Sequence, residues 1–365
     1  MTTATLSALF EPTAFGAIEV PNRIVMAPMT RTRSGAAGVP TGLVAEYYAQ
    51  RAGVGLIVSE GAYPSHGSQA YVGQPGIADA EQAAGWKLVA DKVHDNGGRI
   101  VVQLMHGGRS AHPNINGGRR VVAPSAIAIQ GQTFTERGQE AHAQPEALTE
   151  AELPGIVEEF VDSARRAIDA GLDGVEIHSA NGYLLHQFLA PAANQRTDQY
   201  GGSPENRARF VVEVVTAVAN AIGADRVGIR ISPENMIQDT NETDRPDVLA
   251  TYSALLTSLR PLGLAYVSIL HGEPDGDLVR TLAEHFGGKT LISGGFREVP
   301  TTREDAATLI ELPHVHAVVV GRALIGNPDL ATRWREGAPE NALRPELFYG
   351  VGPDGYTDYP THNAN

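Results

Sequence analysis

The stretch Gly174-Val-Glu-Ile-His-Ser-Ala-Asn-Gly-Tyr183 decides how the chain is to be read. Val175 and Ile177 alternate with polar neighbours over the length of a short strand, and Asn181-Gly182 is a turn signal. Three polar side chains, His178, Asn181 and Tyr183, are therefore expected just past a strand's C-terminal end. The first two can donate hydrogen bonds to one oxygen, and the phenol can release a proton nearby. That equipment suits reduction of a bond conjugated to a carbonyl. Taken alone it suits equally a His and an Asn that satisfy loop backbone, so the sequence on either side must discriminate.

Upstream, residues 149–170 read as an amphipathic helix. Thr149 with Glu152 forms a capping box, Leu148 and Leu153 are placed for a hydrophobic staple, and Gly171 sits where a helix-ending glycine belongs. Downstream, Ser203-Pro204 caps a helix to residue 222 and a new apolar run begins at Val227. This strand–helix unit recurs along the chain. Candidate strands fall at 22–29, 55–61, 99–106, 174–179, 227–232, 266–270, 289–294 and 317–322; helices are predicted at 41–52, 80–96, 149–170, 203–222, 246–262, 275–286, 302–312 and 323–334. Continuous apolar strands alternating with helices imply a parallel sheet covered on both faces, and eight repeats imply closure into a (β/α)8 TIM barrel. An open doubly wound sheet usually carries G-x-G-x-x-G after its first strand; here that strand ends in Ala27-Pro28-Met29-Thr30. The surplus over a minimal barrel of ~250 residues lies mainly in long loops at 107–148 and 180–202, with a C-terminal tail from 344 that carries Phe348, Tyr349, Tyr356 and Tyr359.

Composition narrows the function. The chain has 365 residues, 42% hydrophobic and 19% charged, and is read as a single domain over 1–365. A net charge of −14 argues against a nucleic-acid or anionic-membrane partner, either of which wants a basic face. Residues 1–20 contain no Lys or Arg and no long apolar run, so neither a secretory leader nor a transit peptide is expected, and a cytoplasmic location follows. The absence of cysteine removes disulfides, thiolate nucleophiles, Fe–S clusters and Cys-based zinc sites. Whether the chain is a monomer or a homodimer is left open.

Barrel chemistry gathers at the C-terminal ends of strands. In order, those ends carry Thr30, Gly61, Gln103 with Met105 and His106, then His178, Asn181 and Tyr183, then Arg230, Gly294-Gly295 and Gly321-Arg322. The last two clusters have the glycines and the cation that cradle a phosphate after strands seven and eight. Arg230 needs an anionic or electron-rich partner, whether a ligand or an internal carboxylate, Glu60 or Glu176. Gln103 and Thr30 are neutral groups able to read the edge of a heteroaromatic ring.

Longer motifs sharpen this reading. Pro21-Asn22-Arg23, Ala27-Pro28-Met29-Thr30, Glu46-Tyr47-Tyr48 and Gln103-Leu-Met-His-Gly-Gly-Arg109 are followed by His178-Ser-Ala-Asn-Gly-Tyr-Leu-Leu-His-Gln-Phe188. Then come Asn194-Gln-Arg-Thr-Asp-Gln-Tyr-Gly-Gly202, Glu205-Asn-Arg207 and Gly355-Tyr-Thr-Asp-Tyr-Pro360. Nearly end to end, the chain resembles the Old Yellow Enzyme family of FMN-dependent ene-reductases, in its bacterial branch of pentaerythritol tetranitrate, N-ethylmaleimide and morphinone reductases. The resemblance implies an NAD(P)H oxidoreductase that reduces activated alkenes such as enones, maleimides and nitroalkenes, with nitrate esters or nitro compounds as further substrates. Reduction would run by ping-pong hydride transfer through FMN, with NADPH or NADH as donor.

By resemblance, His178 and Asn181 bind the substrate's oxygen and Tyr183 is the proton donor. Pro28, Met29, Thr30 and Gly61 lie along the flavin, Gln103 and Arg230 hold its pyrimidine edge, and Gly294, Gly295, Gly321 and Arg322 take its phosphate. Tyr71, Met105, Phe348 and Tyr349 line the substrate pocket. Met105 stands where some relatives have Trp, and Asn181 where others have a second His.

Rival readings are weaker. A Schiff-base aldolase needs a lysine at a strand's C-terminal end, but Lys289 opens its strand and Lys87 and Lys92 lie on a helix. The pair His314 and His316 precedes the eighth strand, on the face away from the expected chemistry, so no metal site is predicted there. Another flavin barrel, such as a dienoyl reductase, or a flavin binder without catalysis remains as the alternative.

Overall fold

A computed structural model describes residues 7–295 and 299–362. Eight parallel strands close into a barrel: β1 (Ile24–Met26), β2 (Leu56–Ala62), β3 (Ile100–Leu104), β4 (Gly174–Ser179), β5 (Val227–Ile231), β6 (Tyr266–Leu270), β7 (Thr290–Ser293) and β8 (Ala317–Val320). β8 pairs with β1 through Val318↔Ile24 and Val319↔Val25, which seals the cylinder. All eight expected strands are present, and the fold is the (β/α)8 barrel.

Ten helices are described: α1 (Gly42–Ala49), α2 (Ala80–Asp95), α3 (Leu153–Asp169), α4 (Leu184–Leu189), α5 (Pro204–Ile222), α6 (Arg245–Leu259), α7 (Asp277–Phe286), α8 (Arg303–Ile310), α9 (Arg322–Gly326) and α10 (Leu330–Glu336). The expected caps form. Glu152 Oε2 accepts from Thr149 N–H at 2.8 Å, and Ser203 Oγ accepts from Asn206 N–H with Pro204 in the first turn. The helix expected at 323–334 breaks in two, because Pro328 lies inside it. The residue before a proline is pushed out of the helical region, and Asn327 has φ −129° and ψ 88°.

Alternation along each strand sorts side chains into two shells. Val102, Leu104, Val175, Ile177, Ile229, Val267 and Ile292 point outward into the apolar layer beneath the helices. The intervening residues fill the barrel, apolar at the base with Leu56, Val101, Tyr266, Leu291 and Ala317. Register then sets the polar residues level with one another: Gln103 beside Glu176, and His178 beside Arg230 beside Ser268. The barrel therefore grades from dry at its N-terminal end to polar at its C-terminal end.

An N-terminal hairpin, Thr13–Phe15 paired with Ile18–Val20, covers the dry end. Phe15, Ile18 and Val20 pack with Val25, Val58, Tyr266 and Val319 in one cluster. The loop after β3 carries a second hairpin, Gln132–Thr135 with Gly138–Ala141. Among the described residues no helix is long and apolar enough to cross a membrane.

Candidate active site

At the polar end of the barrel lies a cavity of about 570 Å³. Its wall includes Pro28, Met29 and Thr30 after β1, Asn181 and Tyr183 after β4, and Arg230 from β5. Gly295, Gly321 and Arg322 follow β7 and β8, and Tyr71, Phe348 and Tyr349 come from outlying loops. Twelve of the residues singled out in the sequence, from seven separate segments, thus meet around one space. Gly61, Gln103, Met105, His178 and Gly294 are buried just off this wall.

The turn after β4 presents the reactive groups. Asn181 adopts φ +57° and Gly182 φ +82°, two successive left-handed residues that fold the chain sharply back across the strand end. Asn181 N–H donates to Ser232 Oγ at 2.9 Å, which ties the turn to the neighbouring strand end. The Tyr183 phenol lies 2.5 Å from the Tyr71 hydroxyl, and its ring centroid is 5.2 Å from that of His178. Burial, reinforced by Tyr71, pushes the Tyr183 phenol well above its ordinary range, so it holds its proton. Burial, together with the nearby Arg230 cation, pushes His178 well below the usual histidine range. His178 is therefore a neutral imidazole at neutral pH.

Deeper in the barrel, Gln103 Nε2 donates to Glu176 Oε1 at 2.7 Å and Arg230 Nη1 donates to Ser268 Oγ at 3.1 Å. Of the two carboxylates weighed from sequence as partners for Arg230, it is Glu176 whose charge acts on the guanidinium. Glu60 instead accepts from the backbone N–H groups of Arg31 and Thr32 at 2.9 and 3.1 Å. Burial pushes the Glu60 carboxyl up to about 7.

Two observations test whether these residues suit FMN. Arg230 Nε, Asn181 Oδ1 and His178 Nδ1 are buried and have no hydrogen-bond partner among the described residues. Such groups cost free energy unless something meets them, and a polar heteroaromatic ring and its substrate would. A Cβ on Gly321 would be accommodated at ordinary contact distance, 3.5 Å from Met29 Sδ and 3.7 Å from Ala27 Cβ, so its lack leaves the backbone beside Arg322 uncovered for a phosphate to approach. Gly61 is different in kind: a Cβ there would lie 2.7 Å from Met105 Sδ, so its glycine lets Met105 pack against the strand. The residues fit the cofactor.

Several wall residues escaped the sequence reading. Ile237 and Gln238, in the loop after β5, line the cavity, as do Val299 and Thr301 after β7. Position after a barrel strand was the available signal for all four. Arg31 and Arg33 were missed too, although they follow β1 directly. Arg31 donates to the carbonyls of Phe348 and Gly355 at 3.1 and 2.9 Å, and Arg33 to those of Leu347 and Asp354, each at 3.0 Å. Their guanidinium groups pack on the Tyr356 ring at 5.1 and 4.4 Å, and that ring stacks on Tyr47 with centroids 4.0 Å apart. This clamp holds the segment that delivers Phe348 and Tyr349 to the cavity. His314 and His316 lie outside the site, engaged with Pro274 O and Thr290 N–H, and no cluster of potential metal ligands occurs among the described residues.

Residues 8–341 match the model of the NADH:flavin oxidoreductase / NADH oxidase family. The chain is 41% identical to a probable flavin mononucleotide-dependent alkene reductase of Leishmania infantum, over 97% of this chain and 98% of that one. It is 37% identical to enoate reductase 1 of Kluyveromyces lactis, over 97% and 94%. Among solved structures it is similar to morphinone reductase in complex with tetrahydroNAD, with a TM-score of 0.90 and 41% identity over 98% of each chain. It is also similar to the Old Yellow Enzyme homologue of Zymomonas mobilis, with a TM-score of 0.91 and 37% identity. The chain belongs to the NADH:flavin oxidoreductase / NADH oxidase family, among its Old Yellow Enzyme homologues, and is an FMN-dependent ene-reductase that draws hydride from a nicotinamide.

Proposed function

We propose that the single domain reduces electron-poor alkenes at the cavity bounded by Tyr183, Asn181 and Arg230, with nitro compounds as further substrates. The observation that carries the assignment of roles is the meeting of a proton-holding phenol and unpartnered buried polar atoms at one cavity. Bound FMN would supply two-electron chemistry, taking hydride from NADPH or NADH and passing it to an alkene carbon.

Neutral His178 and the Asn181 amide donate to the carbonyl or nitro oxygen. Drawing electron density toward that oxygen makes the β-carbon electrophilic. Tyr183 then gives its proton to the α-carbon, and Tyr71, 2.5 Å away, steadies the phenolate left behind. Arg230 would place positive charge against the pyrimidine edge of the bound ring, and Gln103, oriented by Glu176, would hydrogen-bond that edge. Thr30, Pro28 and Met29 would bound one side of the cofactor, and Gly295, Gly321 and Arg322 would receive its phosphate. Phe348 and Tyr349 shape the substrate end, with Met105 behind Tyr183. We place the activity in the cytoplasm, the compartment that maintains reduced nicotinamide.

An absorbance spectrum of the purified protein tests the cofactor assignment, followed by titration with a para-substituted phenol and an assay of NADPH oxidation with cyclohexenone. A flavin spectrum, a long-wavelength charge-transfer band and alkene-dependent turnover are expected. A colourless protein that ignores added FMN refutes the proposal.

A further inference from the structure

Helix α4 begins immediately after the turn that carries Asn181 and Tyr183, and two consecutive side chains on it hold Gly182 from both sides. His186 Nδ1 accepts from Gly182 N–H at 2.9 Å, and Gln187 Nε2 donates to Gly182 C=O at 2.7 Å. Both side chains are fully buried. The turn needs holding, because Asn181 is in the left-handed conformation, which glycine alone adopts without a steric penalty. It is also pressed against the opposite loop: a Cβ on Gly182 would lie 2.7 Å from Gln238 Cβ and 2.9 Å from Ile237 O.

The other edge of the His186 ring faces that same loop. Its Nε2 lies 3.1 Å from Glu242 Oε1, and both side chains are out of contact with solvent. Since Nδ1 accepts a hydrogen bond from Gly182 N–H, the ring carries its own proton on Nε2, toward the carboxylate. Glu242 is in turn held by Tyr252 Oη–H at 3.1 Å and Asn235 N–H at 3.3 Å. Asn235 and Glu242 bracket Ile237 and Gln238, which wall the cavity mouth. A continuous line of contacts thus runs from the mouth loop through Glu242 and His186 to the peptide between Asn181 and Tyr183.

We propose that His186, backed by Glu242, is a positioning residue that fixes Asn181 and Tyr183 in their reacting orientation and couples that orientation to the loop at the cavity mouth. The inference rests on the roles proposed above for those two side chains. It separates them from His178, which the barrel ladder holds opposite Arg230, and from the phosphate end at Gly321 and Arg322. Loss of His186 therefore acts on substrate orientation and protonation and leaves cofactor retention alone.

Two substitutions and one spectrum test it. In His186→Asn, the side-chain oxygen falls where Nδ1 was, keeping the Gly182 bond while giving up Glu242; His186→Leu loses both. With FMN content equal to the parent, His186→Leu is expected to slow the alkene half-reaction roughly 10- to 100-fold and to weaken phenol binding, the range that a small misplacement of reacting groups produces. His186→Asn recovers most of that loss. Nitrogen-15 spectra of histidine-labelled parent protein, with the His186 signal identified by its absence from His186→Asn, should show the ring proton on Nε2 and none on Nδ1.

The inference is overturned by a His186 ring that carries its proton on Nδ1. It is equally overturned by a His186→Leu protein with parental alkene rate and phenol affinity, or by His186→Asn impaired as badly as His186→Leu. Should His186→Leu not fold, the spectrum and His186→Asn still decide: an Asn variant slowed more than tenfold rejects the Gly182 bond as the determinant. Because the tautomer is read without turnover, failure of the proposed chemistry and failure of this inference are distinguishable.

Discussion

Replacing Tyr183 by phenylalanine removes one oxygen and keeps the ring, so the packing of Tyr183 with Ala70 and Met105 survives. The phenol is buried and its proton is held tightly, and the Tyr71 hydroxyl lies 2.5 Å from its oxygen. Loss of a positioned general acid costs about 10²- to 10⁴-fold. Tyr71, one hydrogen bond farther from the substrate, can still pass a proton inefficiently, so the lower part of that span applies: about 10²- to 10³-fold, or roughly 3–4 kcal/mol in activation free energy. The stability change is small, since one neutral hydrogen bond contributes about 1 kcal/mol and Tyr71 borders the cavity. Stopped-flow measurement of the two half-reactions is the assay. Oxidation of NADPH should stay within about threefold of the parent, because it requires no proton from Tyr183, while alkene reduction slows by the full factor. The double variant Tyr71→Phe/Tyr183→Phe should fall further. Equal slowing of both half-reactions, or an unchanged alkene rate, refutes the assignment of Tyr183 as the acid.

Three further outcomes are expected. Arg322→Ala removes a charged phosphate contact worth about 1.5–3 kcal/mol, so FMN affinity, read by fluorescence on dilution, should fall roughly 10- to 150-fold; undiminished retention would move the phosphate elsewhere. Burial pushes His106 down to about 3, below the unfolded value near 6.5, so stability is full above pH ~6.5 and is lost as pH falls toward 3 by up to about 1.4 kcal/mol per unit. His106→Asn keeps an acceptor for Gly108 N–H and should show a shallower acid slope in chemical denaturation; an identical slope contradicts this. Arg33→Met frees the carbonyls of Leu347, Gly352 and Asp354, so limited proteolysis should cut within 344–356 and KM for alkenes should rise, whereas a resistant tail would show the clamp to be redundant.

What could be read from the sequence depended on how local its cause is. The strands, the caps at Thr149 and Ser203 and the ring of strand-end residues follow from short-range periodicity and from the rule that barrel chemistry sits at one face, and all were legible. The break at Pro328 was legible too, because proline inside a helical pattern excludes a continuous helix. The arginine clamp was not: Arg31 reaches Gly355 across more than three hundred residues, and nothing near Arg31 in sequence signals a partner. The buried position of His186 facing Glu242 was equally hidden, since the motif that contains His186 reads only as a continuation of the turn before it. Gln238 was hidden for a milder reason, its loop lacking the glycines or aromatics that mark the other strand ends.

The N-terminal hairpin has a bearing on reaction order. With Phe15, Ile18 and Val20 packed across the barrel's far end, the described residues give the chamber a floor. Nicotinamide and alkene are then expected to share the mouth walled by Tyr183 and Tyr349 and to take turns at that one threshold.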